Sequence, residues 1–443
     1  DVNYSVEEQL SGSLNFNVGY AGDSGFIVGT SISQNNFLGT GNRMSLSLQK
    51  NDTVQSYNFS FMDPYYTIDG VSRGFNFYHR KTDFSNQSFT SDYQTNTLGG
   101  NVAFGYPISN RERLSFTLGA SDTEMFEGSV VPAEISSFID EYGDQYREYS
   151  LGSSWKWSNL NRGLFPTEGA QQSISFDLAI PGSDLTYYKI GYKADYYYPI
   201  VPDWSLRFRT ELGYGDGYGD LDTLPFYKNF RAGGIGSVRG YRTSSLGPKG
   251  LPEYNLVDVV ATDSSGNPVF ETDNLGRPIT DGSAPSNVYY YDADGNIVRS
   301  ENDAGYVPVY ELNPNNGSVV KAPAYVESEQ AIGGNILIEG STELIFPLPF
   351  IEDQSSVRSV VFLDVGNVFT SQCYTPEDNE IPNFTSHPYC DDGINLKELR
   401  VSTGVGVTWV TAIGPLTFTY SFPLNEKEGD KTEGFEFSLG QVF

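Results

Sequence analysis

Leu206-Arg207-Phe208-Arg209-Thr210-Glu211-Leu212-Gly213-Tyr214 sorts its side chains by parity. Leu206, Phe208, Thr210, Leu212 and Tyr214 share one face of an extended strand, and Arg207, Arg209 and Glu211 share the other. The same period recurs throughout. Leu14, Phe16, Val18 and Tyr20 oppose Asn15, Asn17 and Gly19. Met44, Leu46 and Leu48 oppose serines and a glutamine, and Leu114/Phe116/Leu118, Ile174/Phe176/Leu178 and Leu416/Phe418/Tyr420/Phe422 repeat the pattern. About sixteen such strands are expected, fourteen at the least.

Two architectures use many alternating strands. In a sandwich the apolar faces pack on one another; in a membrane barrel they face lipid while polar faces line a lumen. Charged inner faces (Arg207, Arg209, Glu211, Glu339, Glu343) favour the barrel, as do aromatic clusters at strand ends such as Asp63-Pro64-Tyr65-Tyr66 and Tyr196-Tyr197-Tyr198-Pro199. Connections also alternate between short and long. The fold expected is all-β: a transmembrane antiparallel barrel over 11–443, with residues 1–10 the stump of a preceding domain. His79 shares parity with Phe75 and Phe77 and is expected to point away from the lumen.

Composition agrees. The 443 residues hold 31 Tyr, 29 Phe and 47 Gly, a profile suited to strands and interfaces. A net charge of −29 argues against nucleic acid, whose phosphates are bound by Lys and Arg. No apolar run is long enough for a membrane helix. Cys373 and Cys390 stand in a polar loop, 370–396, and their spacing suits a local disulfide in an oxidising compartment, two unpaired thiols being the alternative. Ile135, Phe138, Ile139 and Tyr142 share a helical face between Pro132 and Gly143, which predicts a short helix across the barrel mouth.

A long connection, 216–332, interrupts the strands. Near its start lies Gly233-Gly234-Ile235-Gly236-Ser237-Val238-Arg239-Gly240-Tyr241, a flexible turn presenting one permanently charged fork. Farther on, Asp-x-x-Gly turns at 263–266, 273–276 and 292–295 suit a small β lid. Asp292, Asp294 and Asn296 have calcium-loop spacing, but Ile297 and Asp303 stand where that loop needs Gly and Glu, so no metal site is expected. Between Thr243 and Ile332 there are 13 acids and 4 bases, a repulsive surface or one that meets lipopolysaccharide through divalent ions. Neither His79 nor His387 has a catalytic partner at recognisable spacing, and phosphate loops and dinucleotide fingerprints are missing; no enzyme activity and no cofactor are expected.

Taken together, Gly233-Gly234 leading to Val238-Arg239-Gly240-Tyr241, Leu246-Gly247-Pro248-Lys249, Asp63 to Gly70, Asn36 to Gly41 and Leu160 to Gly169 resemble the BamA family of outer-membrane insertases. The arginine motif alone is shared with TamA and two-partner secretion transporters. The match covers essentially the whole chain, and Val2 to Glu8 looks like the end of the last POTRA domain. Two departures stand out: Tyr241 replaces the usual Phe, and the POTRA repeats are absent.

The resemblance implies a Gram-negative outer-membrane protein whose long extracellular loop folds into the lumen, where Arg239 meets Glu343 and Asp364. It implies a seam between the first strand (Leu14, Asn15, Phe16, Asn17, Val18, Gly19, Tyr20) and a last strand over 432–443 (Phe435, Phe437, Leu439, Gly440, Phe443), with Asn15–Asn17 facing Phe435–Leu439. Unfolded outer-membrane barrels are the implied substrates. Outer-membrane lipid, lipopolysaccharide and accessory lipoproteins, the last bound mainly through POTRA domains, are the implied partners. Polypeptide translocation, a passive porin and an adhesin are the competing functions.

Overall fold

A computed structural model describes residues 11–22, 25–85, 91, 93–128, 131–251, 330–349, 351, 356–375, 390–411, 414–427 and 429–440, plus short strand backbones within 254–325. Eleven strands precede the long insert: β1 (Gly12–Ala21), β2 (Gly25–Asn35), β3 (Arg43–Lys50), β4 (Val54–Asp63), β5 (Ser72–Asp83) and β6 (Tyr93–Ser109), then β7 (Glu112–Glu127), β8 (Gln145–Ser158), β9 (Gly169–Ala179), β10 (Tyr187–Val201) and β11 (Trp204–Gly217). Five follow it: β12 (Ile336–Phe346), β13 (Val357–Phe369), β14 (Arg400–Thr411), β15 (Gly414–Pro423) and β16 (Phe435–Leu439). Each pairs antiparallel with its neighbours in sequence, and β16 returns to β1, closing a sixteen-stranded barrel.

Parity decides which side chain meets which medium. Phe16 (76% exposed), Leu98 (64%) and Leu118 (57%) project from the outer wall. Glu339, Glu343 and Asp364 are buried against the interior. The outer surface is therefore apolar and the inner wall polar, the inverse of a soluble protein. His79 is on the outer face, stacked on Tyr57 with ring centroids 5.9 Å apart and bonded to Asn96 at 2.6 Å.

Short turns gather at one end and long connections at the other. At the long-loop end a helix, α1 (Ala133–Tyr142), closes over the mouth. Its buried Ile135, with Phe138, Ile139 and Tyr142, packs onto Tyr93, Tyr146 and Phe226, an aromatic cap in which Phe138 and Phe226 meet edge to face at 5.4 Å. The Glu134 carboxylate accepts the Leu251 N–H at 2.8 Å and ties the helix to the insert. Cys373 and Cys390 are disulfide-bonded, with Cα atoms 5.9 Å apart.

Several expected boundaries move. The insert begins after Gly217, the end of β11, and reaches Asn335. It does contain β structure: Tyr254–Val257, Val319–Tyr325 and Glu311–Leu312 form one sheet, Tyr290–Tyr291 and Ile297–Val298 another. The acidic turns at 263–266, 273–276 and 292–295, the residues Asp303 and His387, and the stump at 1–10 lie outside the described residues. Among the described residues the last strand is Phe435–Leu439, starting three residues later than the Thr432 expected for a strand over 432–443. Thr432 pairs with Tyr241 instead, and Phe443 lies outside the described residues.

Leu118→Arg, in the middle of β7, is expected to cost roughly 2–4 kcal/mol of folding stability in a bilayer, and the lumen-facing Ser47→Ala to cost little. Denaturant titrations of folding into vesicles compare the two.

Candidate functional site

The insert leaves β11 and turns straight down into the barrel. Phe230 and Gly334 bridge its two ends. The turn that follows needs glycine. Gly233 has φ +107°, and a Cβ there would stand 2.4 Å from the Arg242 carbonyl oxygen. The Ser237 hydroxyl accepts the Gly233 N–H at 2.8 Å and donates to Glu339 on β12. Val238, Tyr241 and Leu246 are fully buried against Leu337 and Val368 of the wall. The loop is thus a packed plug, wedged by its own apolar residues.

Arg239 projects from this plug into the wall. Its Nε donates to Asp364 Oδ2 at 2.7 Å and its Nη2 to Asp364 Oδ1 at 2.8 Å, the two-pronged geometry at which Arg exceeds Lys. Nη2 also lies 2.9 Å from Glu343 Oε1 and 3.2 Å from Ser341 Oγ. The guanidinium carbon sits 3.5 Å from the centroid of the Phe362 ring, a cation–π contact on the remaining face. Burial alone would lower the arginine's pKa; the bonds and charge of Asp364 and Glu343 more than offset it, so the pKa is raised and the charge fixed.

The sequence-derived acids Glu343 and Asp364 are both brought to Arg239, on β12 and β13. Three further groups belong to the same network. Ser341 stands opposite Asp364 in the ladder and donates to its Oδ1 at 2.6 Å. Arg207 reaches Glu343 at 3.1 Å and Asp195 on β10 at 2.6 Å. Their signal in the sequence was shared inward parity on adjacent strands, which pairs Arg207 with Glu343 once the register is known. Phe362 had no such signal.

At the seam, among the described residues, Tyr20 pairs with Leu439 and Ala21 with Ser438; residues 441–443, which would continue this register, lie outside the described residues. β1 and β2, by contrast, share ten residue pairs, and β15 and β16 share five. This register corrects the expected pairing of Asn15–Asn17 with Phe435–Leu439. Continued from Tyr20–Leu439, it puts Gly19 opposite Gly440, whose added Cβ would fall 3.3 Å from the Gly19 Cα. Residues 12–18 run on past the end of the described last strand. Leu14, Phe16 and Val18 project outward, 58%, 76% and 60% exposed, along that edge.

The Omp85 superfamily domain matches residues 36–443. The chain belongs to the Omp85 superfamily. Within it, the chain is 27% identical, over its whole length and 48% of the relative's, to the outer membrane protein assembly factor BamA of Neisseria meningitidis serogroup B. It is 21% identical over its whole length to the protein of that name from Nitratidesulfovibrio vulgaris, covering 43% of it. The crystal structure of BamA from Haemophilus ducreyi lacking POTRA domains 1–3 superposes with a TM-score of 0.74 at 28% identity, covering 98% of this chain and 70% of that one. This Omp85 barrel is a Gram-negative outer-membrane protein, and it spans about half the length of the curated relatives it matches.

Arg239→Ala would leave the fully buried Asp364 without its counter-ion, a loss of about 3–5 kcal/mol from the plug's anchorage. Limited proteolysis is expected to cut the insert faster in this variant, and Arg239→Lys to restore only part of the resistance, since an ammonium cannot span both Asp364 oxygens.

Proposed function

We propose that this barrel is the membrane-inserting part of an outer-membrane barrel-assembly factor. It folds client barrels at the junction of β1 and β16. The observation that carries this reading is the seam, where the described residues form two pairs, set against ten and five pairs at the neighbouring junctions. A backbone N–H or C=O in hydrocarbon without a partner costs several kcal/mol, which is why spanning sheets close completely. An edge with most of its length unpaired is a template for another strand. Here the edge without a seam partner among the described residues is the run from Gly12 to Val18, whose outward Leu14, Phe16 and Val18 meet lipid and whose Asn15 and Asn17 face the lumen.

The substrate implied by that geometry is an unfolded outer-membrane β-barrel chain, recognised through its backbone. The work is supplied by ladder formation and by burial of the client's apolar face in lipid, with no bound nucleotide. The relatives' naming as outer membrane protein assembly factors supports the same reading. The plug also bears on the competing functions. It enters the lumen and is held to the wall by ion pairs, an arrangement unsuited to a steady open porin.

Ala21→Cys with Ser438→Cys, directly opposed and both lumen-facing, is expected to form a disulfide that locks the seam. In proteoliposomes containing the complete protein, insertion of an unfolded barrel client should fall to background when the lock is oxidised and recover on reduction. Undiminished insertion by the oxidised, folded form would show that clients do not enter through this junction.

A further inference from the structure

The plug motif has a second side, opposite its arginine. Tyr241 forms an antiparallel bridge with Thr432, the Arg242 N–H donates to the Lys431 carbonyl at 2.8 Å, and the Glu433 N–H donates to the Gly240 carbonyl at 2.9 Å. Residues 240–242 therefore continue a β-ladder on the segment that leads directly into β16. Within β16 itself, Glu436 is turned inward and buried, and its Oε2 accepts the Gly240 N–H at 3.3 Å. Position 240 has φ +89°, and a Cβ there would approach Ser421 Cβ to 3.1 Å, so a larger residue would be pushed off the β15–β16 hairpin.

Arg239 is tied to β12 and β13. Its two successors are tied to 431–436, the approach to and start of the seam strand. We infer that the plug motif is a strut: it spans the inner wall from β13 to β16 and holds the last strand in place, with Glu436 as the positioning residue on that strand. The backbone ladder to 431–433 and the Glu436 carboxylate give β16 an inner partner that does not depend on β1. Among the described residues β16 makes two pairs to β1 and five to β15, so this contact adds a substantial share of its ordering. In the seam reading proposed above, on which this consequence rests, β1 separates while the plug retains β16, so plug position and seam geometry are linked.

The test is amide hydrogen exchange on the complete protein in lipid nanodiscs, which reads the strut whether or not clients enter at the seam. Glu436→Ala is expected to speed exchange across 431–439 by about tenfold, the effect of losing one charge-assisted hydrogen bond, with β12 and β13 amides unchanged. Glu436→Gln, whose side-chain oxygen can accept the same N–H, should return exchange close to the native rate. Unaltered exchange in the alanine variant, or a glutamine variant no better than alanine, would overturn the assignment. Because the alanine variant can lose yield on folding, a second pair, Arg242→Cys with Lys431→Cys, tests the contact in an otherwise native barrel. A disulfide in the folded, heat-modifiable form is expected, and its absence under oxidising conditions would contradict the strut. Failure of the seam lock with intact exchange behaviour would remove the insertion reading and leave the strut standing.

Discussion

A peptide group in hydrocarbon must find its hydrogen-bond partner within the protein, and the whole chain is arranged around that requirement. Residues alternate so that each strand offers lipid a hydrocarbon face while its N–H and C=O groups engage neighbours on both sides. The ladders run through consecutive strands from β1 to β16 and end in a closing junction that shows two residue pairs among the described residues. The closure of the barrel, and the opening proposed for it, both turn on how that pairing is distributed.

The plug answers a second problem. A lumen lined by Arg207, Arg209, Glu339, Glu343 and Asp364 places charge at membrane depth, where unpaired ions are costly. Lowering Arg239 onto Asp364 and Glu343, with Phe362 over the guanidinium face, supplies the missing cation and anchors a long insertion by its tip. Charge-assisted bonds of this kind contribute roughly 1.5–3 kcal/mol each, enough to offset part of the entropy of ordering the loop. The same tip meets the approach to β16 through its backbone. Wall, plug and seam are thereby joined by nine residues, 233–241, and their immediate successor Arg242.

Much of this was legible in the sequence, for identifiable reasons. Period-2 alternation places Glu343 on the lumen side and His79 on the outer wall, and the family resemblance points to Asp364 as the second acid. The apolar face of Ile135, Phe138, Ile139 and Tyr142 marks α1. What alternation does not specify is stagger: a shift by two residues preserves every face, so the pattern could not show that Tyr20 rather than Asn15 meets the last strand. Backbone-only contacts, such as Tyr241 with Thr432, are silent for the same reason, since no side-chain chemistry announces them. The start of β16 was placed too early because Thr432, read as strand, is drawn inward by the plug.

The central claim is that the edge of β1 receives an incoming strand. The most direct measurement places a photo-activatable phenylalanine analogue at Phe16 on that edge and, as a control, at Leu118 on the wall between β6 and β8. Both positions are exposed on the outer face. Illumination during insertion of a client barrel by the complete protein is expected to give an adduct with a client strand from position 16 and none from position 118. Equal adducts from both positions, or none from position 16 while insertion proceeds, would contradict the account.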